Sequence, residues 1–128
     1  MDVLILAAGL GTRMEYLTKD LPKPLLPIKR KPLIDYAFDL IEPLKTGNIF
    51  VNTHYYADLI QSHVKKNYED IKISFEPEIL GTGGGIKKIH QNDLLVLNTD
   101  NIWQAQFAQE IKSAWDHFQN NQNIDNLL

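Results

Sequence analysis

Val3-Leu4-Ile5-Leu6-Ala7-Ala8 is an unbroken apolar run, and Gly9-Leu10-Gly11 closes it. A run of this kind fits a strand buried on both faces, the usual condition in a parallel sheet, where crossover helices cover both sides. Such a sheet requires strands and helices to alternate along the chain. The following segments do so. Pro32 to Ile41 carries apolar residues at helical spacing, and Ile49-Phe50-Val51-Asn52 reads as a strand. Tyr56 to Tyr68 is a second helix, with Leu59, Ile60, His63 and Val64 on one stripe. Ile71 to Phe75 alternates like a half-buried strand, and Leu94-Leu95-Val96-Leu97 is wholly apolar. A short helix is expected over Ile86 to His90, behind a glycine cluster, and a longer one from Gln104 to Phe118. The pattern predicts the α/β class, a doubly wound and mostly parallel sheet in one domain over residues 1–128. Asn120-Asn121-Gln122-Asn123 reads as a polar connection, and Ile124 to Leu128 as the start of a further strand, so the sheet is expected to be C-terminally incomplete.

Composition narrows the function classes. A chain of 128 residues with no cysteine needs no disulfide framework to fold, and thiol nucleophiles and Cys-based zinc sites are excluded. With 13 basic and 16 acidic residues the formal net charge is −3, which argues against a broad nucleic-acid surface. The N-terminal apolar run is too short to span a membrane and lacks the basic region that opens a signal peptide. The expectation is a cytoplasmic enzyme domain with neither nucleic acid nor membrane as partner.

In a parallel sheet of this kind, ligands bind beyond the carboxyl ends of the strands. Ala8, Gly9, Leu10, Gly11, Thr12 and Arg13 fall at that edge. Glycines admit a phosphate close to the backbone and present N–H donors, Thr12 adds a hydroxyl, and Arg13 adds a fork of charged donors. On these residues alone the loop is either a polyphosphate cradle or a plain glycine turn with a solvated arginine. A Rossmann fingerprint would need a glycine where Met14 stands, and a Walker loop would need Gly-Lys-Ser/Thr. Next comes Leu21-Pro22-Lys23-Pro24-Leu25-Leu26-Pro27. Its prolines favour extended backbone around Lys23 and would present the ammonium from a stiff strut, unless the segment is simply a turn.

Two further segments reach the same edge. Thr82, Gly83, Gly84 and Gly85 at a helix start would expose N–H groups to a flat base or a ribose, or would be a glycine-rich helix entry without a ligand. Asp100 follows a buried strand and offers a hard cation an oxygen ligand, or caps the next helix. His54, after a strand end on the ligand side, is open to a sugar-pocket role. His63, His90 and His117 have no partner at metal-ligand spacing and are expected at surface or satisfied positions, with Trp103, Trp115 and Phe118 in the core or an interface.

Taken together, Leu6-Ala7-Ala8-Gly9-Leu10-Gly11-Thr12-Arg13-Met14 and Pro22-Lys23-Pro24-Leu25-Leu26-Pro27 resemble the signature of sugar-1-phosphate nucleotidyltransferases, which have a Rossmann-like fold. Glu76-Pro77-Glu78-Ile79-Leu80-Gly81-Thr82-Gly83-Gly84-Gly85-Ile86 resembles the nucleoside-binding segment of that family. Val51-Asn52-Thr53-His54-Tyr55 and Asp100-Asn101-Ile102-Trp103 are most similar to the bacterial uridylyltransferases that act on N-acetylmuramate 1-phosphate in cell-wall recycling. Related guanylyltransferases acting on mannose 1-phosphate share similar glycine clusters. The resemblance implies condensation of a nucleoside triphosphate, UTP first, with a sugar 1-phosphate to give a nucleotide sugar and pyrophosphate. Arg13 and Lys23 would be the catalytic cations, Asn52 and His54 would contact the sugar, and Asp100 would hold magnesium. The family usually has Gly-Asp where Thr99-Asp100 stands, and its second metal-binding aspartate lies beyond residue 128. Residues 1–128 would then be the nucleotide-binding part, with much of the sugar-binding part missing. A nucleotide-binding module without turnover is the competing expectation. Apolar surface left open on such a piece would favour a homo-oligomer.

Overall fold

A computed structural model describes residues 1–89, 92–104 and 106–121. Four parallel strands, β1 (Asp2–Leu6), β4 (Ile49–Thr53), β5 (Ile71–Phe75) and β6 (Leu94–Asn98), form a sheet of order β5-β4-β1-β6. Helices α1 (Leu33–Ile41), α2 (Ala57–Asn67), α3 (Gly81–Ile89) and α4 (Gln106–Gln119) flank it. The segment after β1 leads to β4 on one side of it, whereas the chain leaving β5 crosses to β6 on the other side. That reversal of winding is the switch point of a doubly wound sheet, where a crevice opens at the carboxyl ends of the strands.

Burial follows the sequence pattern. Val3, Ile5 and Ala7 join Val51, Leu97, residues of α1, Ile60 and Val64 of α2, and Ala108 of α4 in one core cluster. Leu4, on the other face of β1, is also fully buried. Asn52, the register partner of Leu6, meets α3 at Gly85 on that side. Both faces of β1 are therefore covered, as the apolar run required. Trp103, Phe107 and Ile111 pack against the cluster, and Trp115 lies beside Phe118 with ring centroids 5.6 Å apart.

Four local features differ from the expected pattern. First, β1 stops at Leu6, because the Ala7 N–H leaves the ladder and donates to Asn52 Oδ1 at 2.7 Å. Second, α3 begins at Gly81, not Ile86, so the glycines lie inside the helix. A Cβ on Gly84 would stand 2.6 Å from Leu80 Cβ, and one on Gly85 would stand 3.0 Å from Asn52 Nδ2 and 3.1 Å from Glu76 Oε1, so close packing accounts for both residues. Third, Lys23–Leu25 is a 3-10 turn and not an extended strut. Pro22 is extended, but the Leu25 and Leu26 amides donate to Pro22 and Lys23 carbonyls, and Pro24 lies where no N–H is needed. Fourth, β2 (Pro27–Ile28) and β3 (Lys31–Pro32) form a small antiparallel hairpin. Its turn residues, Lys29 and Arg30, both have positive φ, the geometry of a type I′ turn normally made by Asn-Gly. The strand expected over 124–128 and the expected helix end at His90 lie outside the described residues.

Candidate active site

The crevice beyond the carboxyl ends of the strands holds a cleft of about 450 Å³. Ala8, Gly9, Leu10, Gly11, Thr12, Arg13, Lys23, Asn52, Thr82 and Asp100 all line it. Gly83, Gly84 and His54 do not.

Each wall has a local cause. Gly11 has φ +68°, the left-handed region that glycine enters without strain, and a Cβ there would press on Thr18 Cγ2 at 3.0 Å and on the Lys23 stem at 3.2 Å. A 3-10 helix over Thr12–Thr18 follows, with the Met14 amide donating to the Gly11 carbonyl at 2.9 Å. Arg13 is exposed within it and free to reach an anion in the cleft. Lys23 enters between Pro22 and Pro24, both buried, so its backbone is anchored while its ammonium remains partly exposed.

Asp100 faces Lys23 from the turn that follows β6. Leu6 pairs with Asn98 in the β1–β6 register, and the Thr99 hydroxyl donates to the Leu6 carbonyl at 2.8 Å, which fixes the turn that presents Asp100. Lys23 Nζ donates to Asp100 Oδ2 at 2.9 Å. That hydrogen bond holds the Asp100 carboxyl below its ordinary range; partial burial opposes the shift, and the charges of Lys23 and then Arg13 reinforce it. The three charged groups singled out in the sequence therefore lie in one electrostatic neighbourhood.

The opposite wall carries a residue absent from the sequence-derived site. Glu76 follows β5 and is fully buried. Its Oε1 accepts from Asn52 Nδ2 at 2.8 Å, and its Oε2 accepts from the Leu80 amide at 3.0 Å. Asn52 Oδ1 in turn accepts the Ala7 amide. A continuous hydrogen-bonded chain thus runs from the end of β1 through β4 to the start of α3. Both ends of the Asn52 amide are committed to it, and His54 Nδ1 lies 2.8 Å from the Glu76 carbonyl oxygen. One signal could have pointed to Glu76: an acidic residue just after a half-buried strand, five residues before the start of a glycine-rich helix. His63 meets Asp35 at 2.6 Å, and His117 is exposed on α4.

A hard cation would find one exposed carboxylate in the cleft, Asp100. No cluster of three or more His, Cys, Asp or Glu side chains that could hold a metal exists among the described residues. An ionised carboxylate open to the cleft fits magnesium, which commonly takes one or two protein carboxylates and completes its shell with substrate phosphates and water.

Residues 2–124 match the family described as Nucleotidyl transferase. The chain belongs to this family. It is 37% identical over 126 residues to the N-acetylmuramate alpha-1-phosphate uridylyltransferase of Caulobacter vibrioides, covering 88% of this chain and 52% of that protein. It is 35% identical over 114 residues to the D-glycero-alpha-D-manno-heptose 1-phosphate guanylyltransferase of Campylobacter jejuni, covering 85% and 52%. The crystal structure of HddC from Yersinia pseudotuberculosis superposes with a TM-score of 0.70 at 33% identity, covering 90% of this chain and 54% of that one. A UDP-glucose pyrophosphorylase solved with UDP-glucose, 22% identical, shares the fold with a TM-score of 0.74. The chain spans about half the length of these relatives. No helix among the described residues is long and apolar enough to cross a membrane.

Proposed function

We propose that this nucleotidyl transferase domain binds a nucleoside triphosphate in the β1 cleft and supports its condensation with a sugar 1-phosphate, releasing pyrophosphate. The observation that carries the reading is the convergence of Arg13, Lys23 and Asp100 on one cleft floored by a glycine loop. In the reaction, an oxygen of the sugar phosphate attacks the α-phosphorus and the bond to the pyrophosphate oxygen breaks. A phosphate monoester has a second pKa near 6, so the nucleophile is about nine-tenths dianionic at neutral pH and needs no general base. Catalysis then reduces to holding the reactants in line and neutralising their charge.

The roles follow from position. Amides of Leu10, Gly11 and Thr12, with Arg13, hold the β- and γ-phosphates. Lys23 serves the α-phosphate and the incoming sugar phosphate, which requires it to leave Asp100. Asp100 would hold magnesium, a Lewis acid and template for the phosphates. Thr82, which lines the cleft, serves the nucleoside; Gly83 and Gly84 lie behind it in α3, and His54 is held against the Glu76 carbonyl outside the cleft lining. Because Asn52 is bonded at both ends, its part is to shape the pocket wall. UTP and N-acetylmuramate 1-phosphate are the substrates we place first, on the similarity to the uridylyltransferase. GTP is the competing nucleotide, on the similarity to the guanylyltransferase.

The half-length match favours a second reading for the 128 residues themselves: nucleotide binding with weak or no turnover. Pyrophosphate release separates the two. Stabilisation by UTP or GTP with magnesium is expected on either reading, and release on adding the sugar phosphate only on the first. No thermal stabilisation by either nucleotide would refute both.

A further inference from the structure

Thr18 is buried between two exposed neighbours, Leu17 and Lys19, five residues beyond the arginine of the glycine loop. Its hydroxyl donates to the Gly11 carbonyl at 3.1 Å, alongside the Met14 amide at 2.9 Å. Its methyl lies against the Cα side of Gly11, next to the Lys23 stem. The segment carrying it is tied down from outside, because the Tyr56 hydroxyl donates to the Lys19 carbonyl at 2.6 Å.

A peptide unit is planar and trans, so its carbonyl and its N–H point in opposite directions. Fixing the Gly11 carbonyl with two donors therefore fixes the direction of the Thr12 N–H, on a residue that lines the cleft. Rotation of this unit turns ψ of Gly11 together with φ of Thr12, and Gly11, lacking a Cβ, offers little steric resistance on its side of the unit, so the carbonyl needs partners to hold it. A flipped peptide would withdraw a donor from the cleft and turn carbonyl lone pairs toward it, where a polyanion would be repelled.

We propose that Thr18 is a positioning residue of the phosphate loop: its hydroxyl holds the Gly11–Thr12 peptide in the orientation that receives a polyphosphate. The inference rests on the reading of the cleft as a triphosphate site and adds a residue that never touches the ligand. Thr18→Val keeps the shape and loses the hydroxyl, whereas Thr18→Ser keeps the hydroxyl.

The test is calorimetric titration of the chain with inorganic tripolyphosphate, beside thermal melting. Thr18→Val should bind tripolyphosphate about tenfold more weakly, and Thr18→Ser within about twofold of the wild type. The Thr12 amide resonance should shift in the valine variant alone. A merely structural role would make affinity follow the melting temperature in every variant, whereas the positioning role predicts lost affinity in protein that is still fully folded at the titration temperature. If Thr18→Val fails to fold, Thr18→Ala, which cannot overpack the site, takes its place. Wild-type affinity in the hydroxyl-free variant overturns the Thr18 inference and leaves the functional reading intact. No tripolyphosphate binding by the wild type overturns both.

Discussion

Two glycine-rich segments border the same cleft and differ in the polar groups that surround them. In the segment 9–13, a Cβ on Gly9 would meet nothing within 4 Å, Gly11 packs on Thr18 and the Lys23 stem, and the exposed Arg13 and the Lys23 ammonium supply the charge. In the segment 81–85, Gly81 and Gly83 face open space, but Gly84 packs against Leu80 and Gly85 against Asn52 and the buried Glu76, so this end of the segment closes on the protein itself. A run of glycines reveals only that something approaches the main chain closely. Neighbouring polar groups decide whether that is a ligand or the protein's own network. The distinction has an electrostatic consequence. A helix N-terminus attracts anions, but at α3 the Glu76 carboxyl already takes the Leu80 amide, so a phosphate is disfavoured there and is directed to the cationic segment.

If the contrast holds, mutations in the two segments should separate stability from ligand binding. The largest effect is expected at Glu76. Glu76→Ala leaves the Asn52 amide and the Leu80 N–H without their acceptor and opens a void, a loss of about 3 kcal/mol in a denaturant titration. A variant within experimental error of the wild type would show that the buried chain is not what holds the wall. Arg13→Ala is the counterpart. It should weaken nucleotide binding between about tenfold and a hundredfold and leave the melting temperature where it was, because an exposed arginine contributes little to the fold. Unchanged nucleotide affinity would remove Arg13 from the site. Gly85→Ala comes next. Its methyl must displace Asn52 or Glu76, and a cost of about 1 to 2 kcal/mol is expected, whereas Gly83→Ala, in open space, should be stabilising or neutral.

The sheet, its helices and the cationic half of the cleft were legible because they rest on short-range signals: an apolar run for β1, helical spacing in α1 and α4, Arg13 in the glycine loop behind β1, and Lys23 between two prolines. Asp100 was legible in the same way, as an aspartate after a buried strand, but Glu76 was not. Glu76 acquires its role from Asn52, 24 residues away, and from the fold that brings β5 beside β4, and no local period encodes that meeting. The hairpin at residues 27–32 escaped for a different reason. Its I′ turn is built from Lys29 and Arg30, which carry none of the usual turn chemistry and occupy positive φ against their own preference. The start of α3 was misplaced because consecutive glycines weaken helix propensity, and tertiary packing on Leu80, Asn52 and Glu76 overrode that weakness.

The smallest expected effect uses the far end of β1, where no ligand is expected, to sharpen the contrast further. Asp2 Oδ1 accepts the Asn48 amide at 2.8 Å, in a corner where a Cβ on Gly47 would collide with that oxygen. The bond to the Asn48 backbone lowers the Asp2 pKa, against a smaller opposing effect of burial, and side-chain bonds from Asn48 and Asn92 add to the lowering. A carboxylate with a folded pKa below its unfolded value of 3.8 stabilises the fold fully above that value and loses the contribution as pH falls through the folded value. Asp2→Asn should therefore lower the melting temperature slightly at neutral pH, and the gap from the wild type should close as the pH drops below 3.8. Asp100 is lowered mainly by a side-chain bond from Lys23, a partly exposed ion pair, so its share of the acid limb should shrink with added salt. The Asp2 share, set by a backbone amide, should not. An acid limb wholly abolished by salt would assign both carboxylates to ion pairing and erase the difference between the two ends of the strand.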